Sequence, residues 1–388
     1  MGRRIAGLLL VAVAGATLIG TGAGAAQVSF PGSRAWLDAA RSGSAVRVYA
    51  GGRALDVMVR ETSLLAPGAT VTGLDGNGVA PGATTLSGEV AGVKGSWVRL
   101  TVTDEWVLGN VAVPGLGAFA VGRDRKGRDV VLSAATIREG LIRSGVSTVI
   151  EPGEAQAAAT DCDSLDWTPI VASPLTLIQQ DPLRTFDVAF AVDQTFVNSH
   201  PADWAALALS FVNSVDGLFR SAFDIRIAVV HLVVIPDAAV PSTTTDGLLV
   251  ELQDYYLATY PNLVRDNVHL FTGKDPTNAA GQVNCVGSAG RTDVSYSVAQ
   301  GDPGGPYNFG LGLNLLPDGA LKISVHELAH TLSAHHHYAN CVETMPTFDP
   351  IRTLDLCTVM INDWGLIQPM FGSLERLTVR GWADDYDI

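Results

Sequence analysis

The sequence predicts an α/β domain with a mostly parallel twisted sheet over residues 181–388, preceded by a β-rich unit over 27–150. Three observations carry this. From 181 onward apolar strand-length runs alternate with helix-length segments, the pattern of parallel strands joined by crossover helices. Before 150, short alternating or apolar runs recur at roughly eight- to twelve-residue spacing between Gly, Pro and Asp turns. Charge also changes near 180. Residues 1–180 hold 15 basic and 15 acidic side chains and residues 181–388 hold 10 and 24, so the whole net charge of −14 lies in the second part.

Residues 1–25 read as a targeting segment, with Arg3 and Arg4 as its positive start, Leu8 to Ile19 as its apolar stretch and Ala23-Gly24-Ala25 as a small-residue cleavage site. No later stretch reaches the ~20 apolar residues of a membrane span. The mature protein is therefore expected to be secreted and free of a stable membrane anchor. In the β-rich unit, strands are expected at Ala45–Tyr49, Leu55–Val59, Ser96–Val102, Trp106–Val113 and Val130–Leu132. Arg123-Asp124-Arg125-Lys126-Gly127-Arg128 falls between two such runs and reads as a solvated hairpin turn rather than a processing site. Residues 151–180 contain Pro152, Pro169, Pro174 and Ala157–Ala159, and read as a linker.

In the second unit the order is strand at Phe186–Val192, helix at Pro201–Phe223, strand at Ile225–Ile235, helix at Asp246–Tyr260 and strand at Val268–Thr272. Gln282–Leu316 is rich in Gly, Asn and Pro and is expected to form loops with short edge strands. With 47% hydrophobic and 16% charged residues, the chain can bury a large core and is not a disordered polymer. Its acidic balance argues against a nucleic-acid partner, which would normally meet a basic face.

The chemistry concentrates at His326-Glu327-Leu328-Ala329-His330, a match to H-E-x-x-H. With 8 His and 10 Glu in 388 residues, chance would supply such a match only about 0.004 times. Pro317-Asp318 can start a helix here, with Asp318 as N-cap. Leu321, Val325, Leu328 and Leu332 then form one apolar stripe for the core. His326 and His330 lie away from that stripe, one turn apart, where two imidazoles can grip one Zn²⁺. Glu327 is displaced around the helix and can stand beside the ion without binding it. A catalytic zinc takes three protein ligands and keeps one position open. His336 is the best third ligand, with His335 and His337 decoys by adjacency. Glu327 is the expected general base for a water that zinc activates.

His326-Glu327-x-x-His330-x-x-Ser333-x-x-His336 resembles the metzincin zinc-protease signature H-E-x-x-H-x-x-G-x-x-H. Cys357-Thr358-Val359-Met360 looks like the Met-turn of that group, which makes Met360 apolar support beneath the metal. The resemblance is closest to the reprolysin or ADAM-like branch. It is strengthened by Phe186–Asp193, by His269-Leu270-Phe271-Thr272-Gly273-Lys274-Asp275 and by the placing of Cys341 and Cys357. It covers about 181–388. More weakly, Leu86-Ser87-Gly88-Glu89-Val90 through Ser96-Trp97-Val98 resembles the prodomain of the same branch. Ser333 stands where the family has the glycine of a left-handed turn, a conformation that costs a non-glycine residue about 1–2 kcal/mol.

The resemblance implies one catalytic zinc, a protein or peptide substrate and a Cys341–Cys357 disulfide. Closing that loop contributes about 3 kcal/mol in the chain-entropy picture. It also implies a zymogen. Cys162, in Asp161-Cys162-Asp163, then has two uses: a thiolate that blocks the zinc, or a disulfide with Cys285. Two readings from other classes compete with an endopeptidase. One is a catalytically silent zinc-fold binding protein, which has no need of Glu327; the other is a zinc hydrolase of a non-peptide amide. Oligomeric state cannot be read from the sequence.

Overall fold

The computed structural model describes residues 31–124, 127, 129–133, 184–277, 281–285, 287–301, 313–315 and 318–332. The targeting segment, the linker, and Cys162, His336, Cys341, Cys357 and Met360 lie outside the described residues.

The first unit opens with α1 (Ser33–Ser42), which ends at Gly43, where a φ of 69° lets the backbone N–H return to the Ala39 carbonyl. Trp36 and Ala39 are its buried side chains. An antiparallel sheet follows from β1 (Ala45–Ala50), β2 (Arg53–Glu61), β4 (Thr84–Val90), β5 (Trp97–Val102), β6 (Val107–Val113), β7 (Gly117–Asp124) and β8 (Asp129–Ser133). In β1, Val46, Val48 and Ala50 are buried while Arg47 and Tyr49 face outward, the alternation of a half-covered strand. The basic turn expected after Val121 is a hairpin: Arg123 pairs with Asp129 across it, and its Nε donates to the Gly127 carbonyl at 2.9 Å.

The missing member of that series, β3 (Leu65–Thr72), belongs to the other sheet. That sheet runs β12 (Gly281–Val283), β13 (Tyr296–Gln300), β11 (Asn267–Thr272), β9 (Arg184–Asp193), β10 (Ile225–Ile235), β3. Every neighbouring pair is parallel except β12 with β13, so the sheet is mixed, with one antiparallel edge. Its inner strands are apolar on both faces because both faces are covered. On one face lie α3 (Trp204–Phe223) and α5 (Asp318–Thr331), sharing a core with Phe186, Val188, Phe190, Ile227 and Phe271. On the other lies α4 (Thr245–Thr259), whose Leu248, Leu249, Leu252 and Tyr256 pack on Ala189, Val233, Val268 and Leu270. The short α2 (Gln194–Ser199) is capped by Asp193, whose Oδ1 accepts from Phe196 N at 2.8 Å and from Gly273 N at 2.9 Å, tying the end of β9 to that of β11. β14 (Leu313–Leu315) leaves this unit and pairs with the end of β7 in the first sheet.

Four elements, α1, α2, β3 and β4, differ from the sequence reading, which placed no element there, and β13, in the stretch expected to form loops with short edge strands, is an interior strand between β12 and β11. The α1 segment is short and carries only two buried side chains. β3 holds Pro67 and Gly68 and shows no alternation, and β4 holds Ser87 and Gly88 in its middle. Such strands are set by their neighbours rather than by local propensity. Among the described residues no helix is long and apolar enough to cross a membrane.

Candidate active site

α5 is held by its apolar stripe. Leu321, Val325, Leu328 and Leu332 are all buried, as their spacing predicts, and pack with α3 in the main core. Its last carbonyls are satisfied by the 285–290 loop: Gly287 N donates to His330 O at 2.9 Å and Ala289 N to Thr331 O at 3.0 Å. Ser288 Oγ bonds the Cys285 carbonyl at 2.7 Å inside that loop. Cys285 is disulfide-bonded, and its partner is outside the described residues.

The two helix histidines converge. His326 Nε2 and His330 Nε2 stand 3.0 Å apart, with ring centroids 4.6 Å apart and planes crossed at 89°. Two ligands at about 2.05 Å from one tetrahedral ion would stand about 3.3 Å apart, so the pair fits zinc within a few tenths of an ångström. Among the described residues no group of three or more His, Cys, Asp or Glu side chains comes together. The expected third ligand, His336, is outside them.

Glu327 is buried between α5 and the edge strand β12, and this burial holds its carboxyl pKa well above the usual carboxylate range. It lies against the backbone of Gly281. A Cβ built there would stand 2.7 Å from Glu327 Oε1 and 2.4 Å from Ile323 Cγ2. Sequence reasoning missed Gly281 because nothing local marks it, since the close approach is made by a helix some forty residues later. β12 is the outermost strand of its sheet and runs beside this carboxyl. Gln282, in the middle of β12, is anchored by Thr245 Oγ1.

The other histidines of the described chain stand apart from this site. His269, buried in β11, pairs through Nδ1 with Ser297 Oγ at 2.7 Å and is flanked by Phe190 and Phe271. Burial lowers its pKa to about 3, so it is a neutral core residue. His231 of β10 stacks edge-on against Tyr260 at 4.6 Å.

Residues 182–351 match the family model Reprolysin_5, described as Metallo-peptidase family M12. The match covers under half of the chain and supports a reprolysin-like metallopeptidase over that stretch. The match does not reach the prodomain-like residues 27–150. No curated protein matches the chain. A solved structure titled "Structure of a chaperone-substrate complex" aligns with 40% of this chain at 13% identity and a TM-score of 0.31, too low to carry an argument. The aligned part spans about a quarter of that structure, 24%.

Proposed function

We propose that this M12-type peptidase is a secreted, zinc-dependent endopeptidase made as a zymogen, with Glu327 as general base and His326, His330 and His336 as the zinc ligands. The observation that supports it is the convergence of His326 and His330 Nε2 at 3.0 Å beside a buried carboxyl of the same helix. Bound there, zinc supplies Lewis acidity that lowers the pKa of water and polarises a scissile carbonyl. Glu327 takes the proton of the attacking water and returns it to the leaving amine. β12 offers an outer strand edge beside Glu327, along which an extended peptide can add and be held in register.

Three variants test this reading together. His326→Ala and His330→Ala lose zinc and peptide cleavage, whereas Glu327→Ala keeps about one zinc per chain and loses at least about a hundredfold in turnover. Peptide-library profiling is the activity readout. Zinc content with no cleavage of any peptide by wild type would favour a silent binding protein. Cleavage confined to non-peptide amides would favour the other hydrolase, and near-normal turnover by Glu327→Ala would remove the base from its role.

A further inference from the structure

We propose that residues 31–133 are a lasting structural partner of the peptidase fold, and that a cut in the chain between the two units leaves them bound. The inference rests on the packing seam alone and stands whether or not the chain cleaves peptides.

The seam has the character of an interior. β3 lies parallel on β10, with Thr70 opposite His231 and Val71 opposite Leu232, and Val229 N donates to the Leu64 carbonyl at 2.8 Å. Without β3, the eleven-residue, largely buried β10 becomes an open apolar edge, an aggregation hazard. Leu64, Val71, Trp106 and Leu108 from the first unit belong to the same core as α3 and α5. The exchange is mutual, since β14 from the later part of the chain extends the first sheet at β7.

Several polar side chains bond across the seam, most of them out of solvent. Arg99 Nε of β5 donates to Asp216 Oδ2 of α3 at 3.1 Å, with the two side chains 7% and 1% exposed. Asn213 Nδ2 donates to the Leu100 carbonyl at 2.9 Å, and Trp106 Nε1 to Asp203 Oδ2 at 2.8 Å. Separation would strand these groups. Packing is as tight as in a core. A Cβ on Gly217 of α3 would stand 2.5 Å from Arg99 Cγ and 2.8 Å from Trp97 Cζ3, so the helix approaches β5 only because that position has no side chain. A cover designed to leave would keep its polar groups satisfied on both sides after departure, and this one does not.

The test uses the full chain, kept in chelator, with a specific protease site inserted between residues 134 and 161. That position leaves any disulfide of Cys162 within the larger fragment, so retention can only be noncovalent. After the cut, the fragments are expected to co-elute at the mass of the intact chain at micromolar concentration and to part only in denaturant. Gly217→Ala, which overfills the seam while favouring the helix, should weaken the nicked pair about tenfold. Arg47→Ala, which breaks an exposed pair with Asp56 inside the first sheet, should leave it unchanged. If Gly217→Ala does not fold, the wild-type cut decides. Fragments that part without denaturant overturn the proposal, whether or not the larger one stays folded, and so does an Arg47→Ala effect as large as that of Gly217→Ala.

Discussion

Gly281 shows how one absent methyl can position a reactive group. With an alanine there, the Glu327 carboxyl and Ile323 must both move, because the added carbon would sit 2.7 Å from one and 2.4 Å from the other. A shift of about 1 Å in a base costs on the order of a hundredfold in rate. On the proposed assignment of Glu327 as base and His326 and His330 as zinc ligands, Gly281→Ala should therefore lower kcat by roughly ten- to a hundredfold while zinc content stays at wild-type level. An unchanged kcat would show that the contact does not set the base. A second residue-scale case is Asp266. Burial, then the neighbouring Asp187, pushes its pKa up to about 6, although it accepts a 2.7 Å bond from Asp187 N. The folded state thus holds this proton more tightly than the unfolded chain, whose carboxyl titrates near ~3.9. Stability from this group is greatest below about pH 4 and falls as pH rises through about 6. Asp266→Asn keeps an acceptor for Asp187 N and should raise stability at pH 7 by on the order of 1 kcal/mol, with the advantage fading toward pH 4. Thermal melts of both proteins across that range would refute it if the gap were constant or reversed.

Among the elements, most of those buried on both faces were legible in the sequence; β13, five buried residues inside a Gly-, Asn- and Pro-rich stretch, was not. β10 coincides with the run Ile225–Ile235, and α3, α4, β9 and β11 fall within two or three residues of their expected limits. The reason is physical: a doubly covered strand must be a continuous apolar run, and its alternation with helices points to parallel topology. β3 was not legible, since Pro67 and Gly68 suit only an edge, and its neighbour β10 lies some 160 residues away. For the site, the histidine pair and Glu327 were legible because one helix carries them at fixed spacing. Gly281 and the loop that closes α5 were not, because distant segments provide them. That loop carries the element-scale prediction. It satisfies the last carbonyls of α5 and is pinned by the Cys285 disulfide. Cys285→Ser should cost about 2–4 kcal/mol and weaken zinc binding, because the turn that holds His330 loosens. Denaturation with and without zinc checks both parts; equal stability to wild type would show the bridge to be idle.

In the whole molecule, α3 is the shared organ of the two units. It is buried along nearly its full length because the first sheet covers one side and the second covers the other. Asp216 at its centre ties all three layers. Besides Arg99 on β5, it accepts from Arg220 Nε on its own helix at 2.9 Å and from Ile227 N on β10 at 3.0 Å. Two domains joined by a linker would unfold in two steps, whereas two sheets sharing one helix and exchanging strands should unfold in one. Asp216→Ala leaves the Arg99 guanidinium buried without its carboxylate, a change that costs about 3–5 kcal/mol. Calorimetry of the zinc-loaded chain should show a single transition in wild type, and in Asp216→Ala a single transition moved down as a unit. Two transitions, only one of them shifted, would mean that the units fold independently and that the helix between them belongs to one alone.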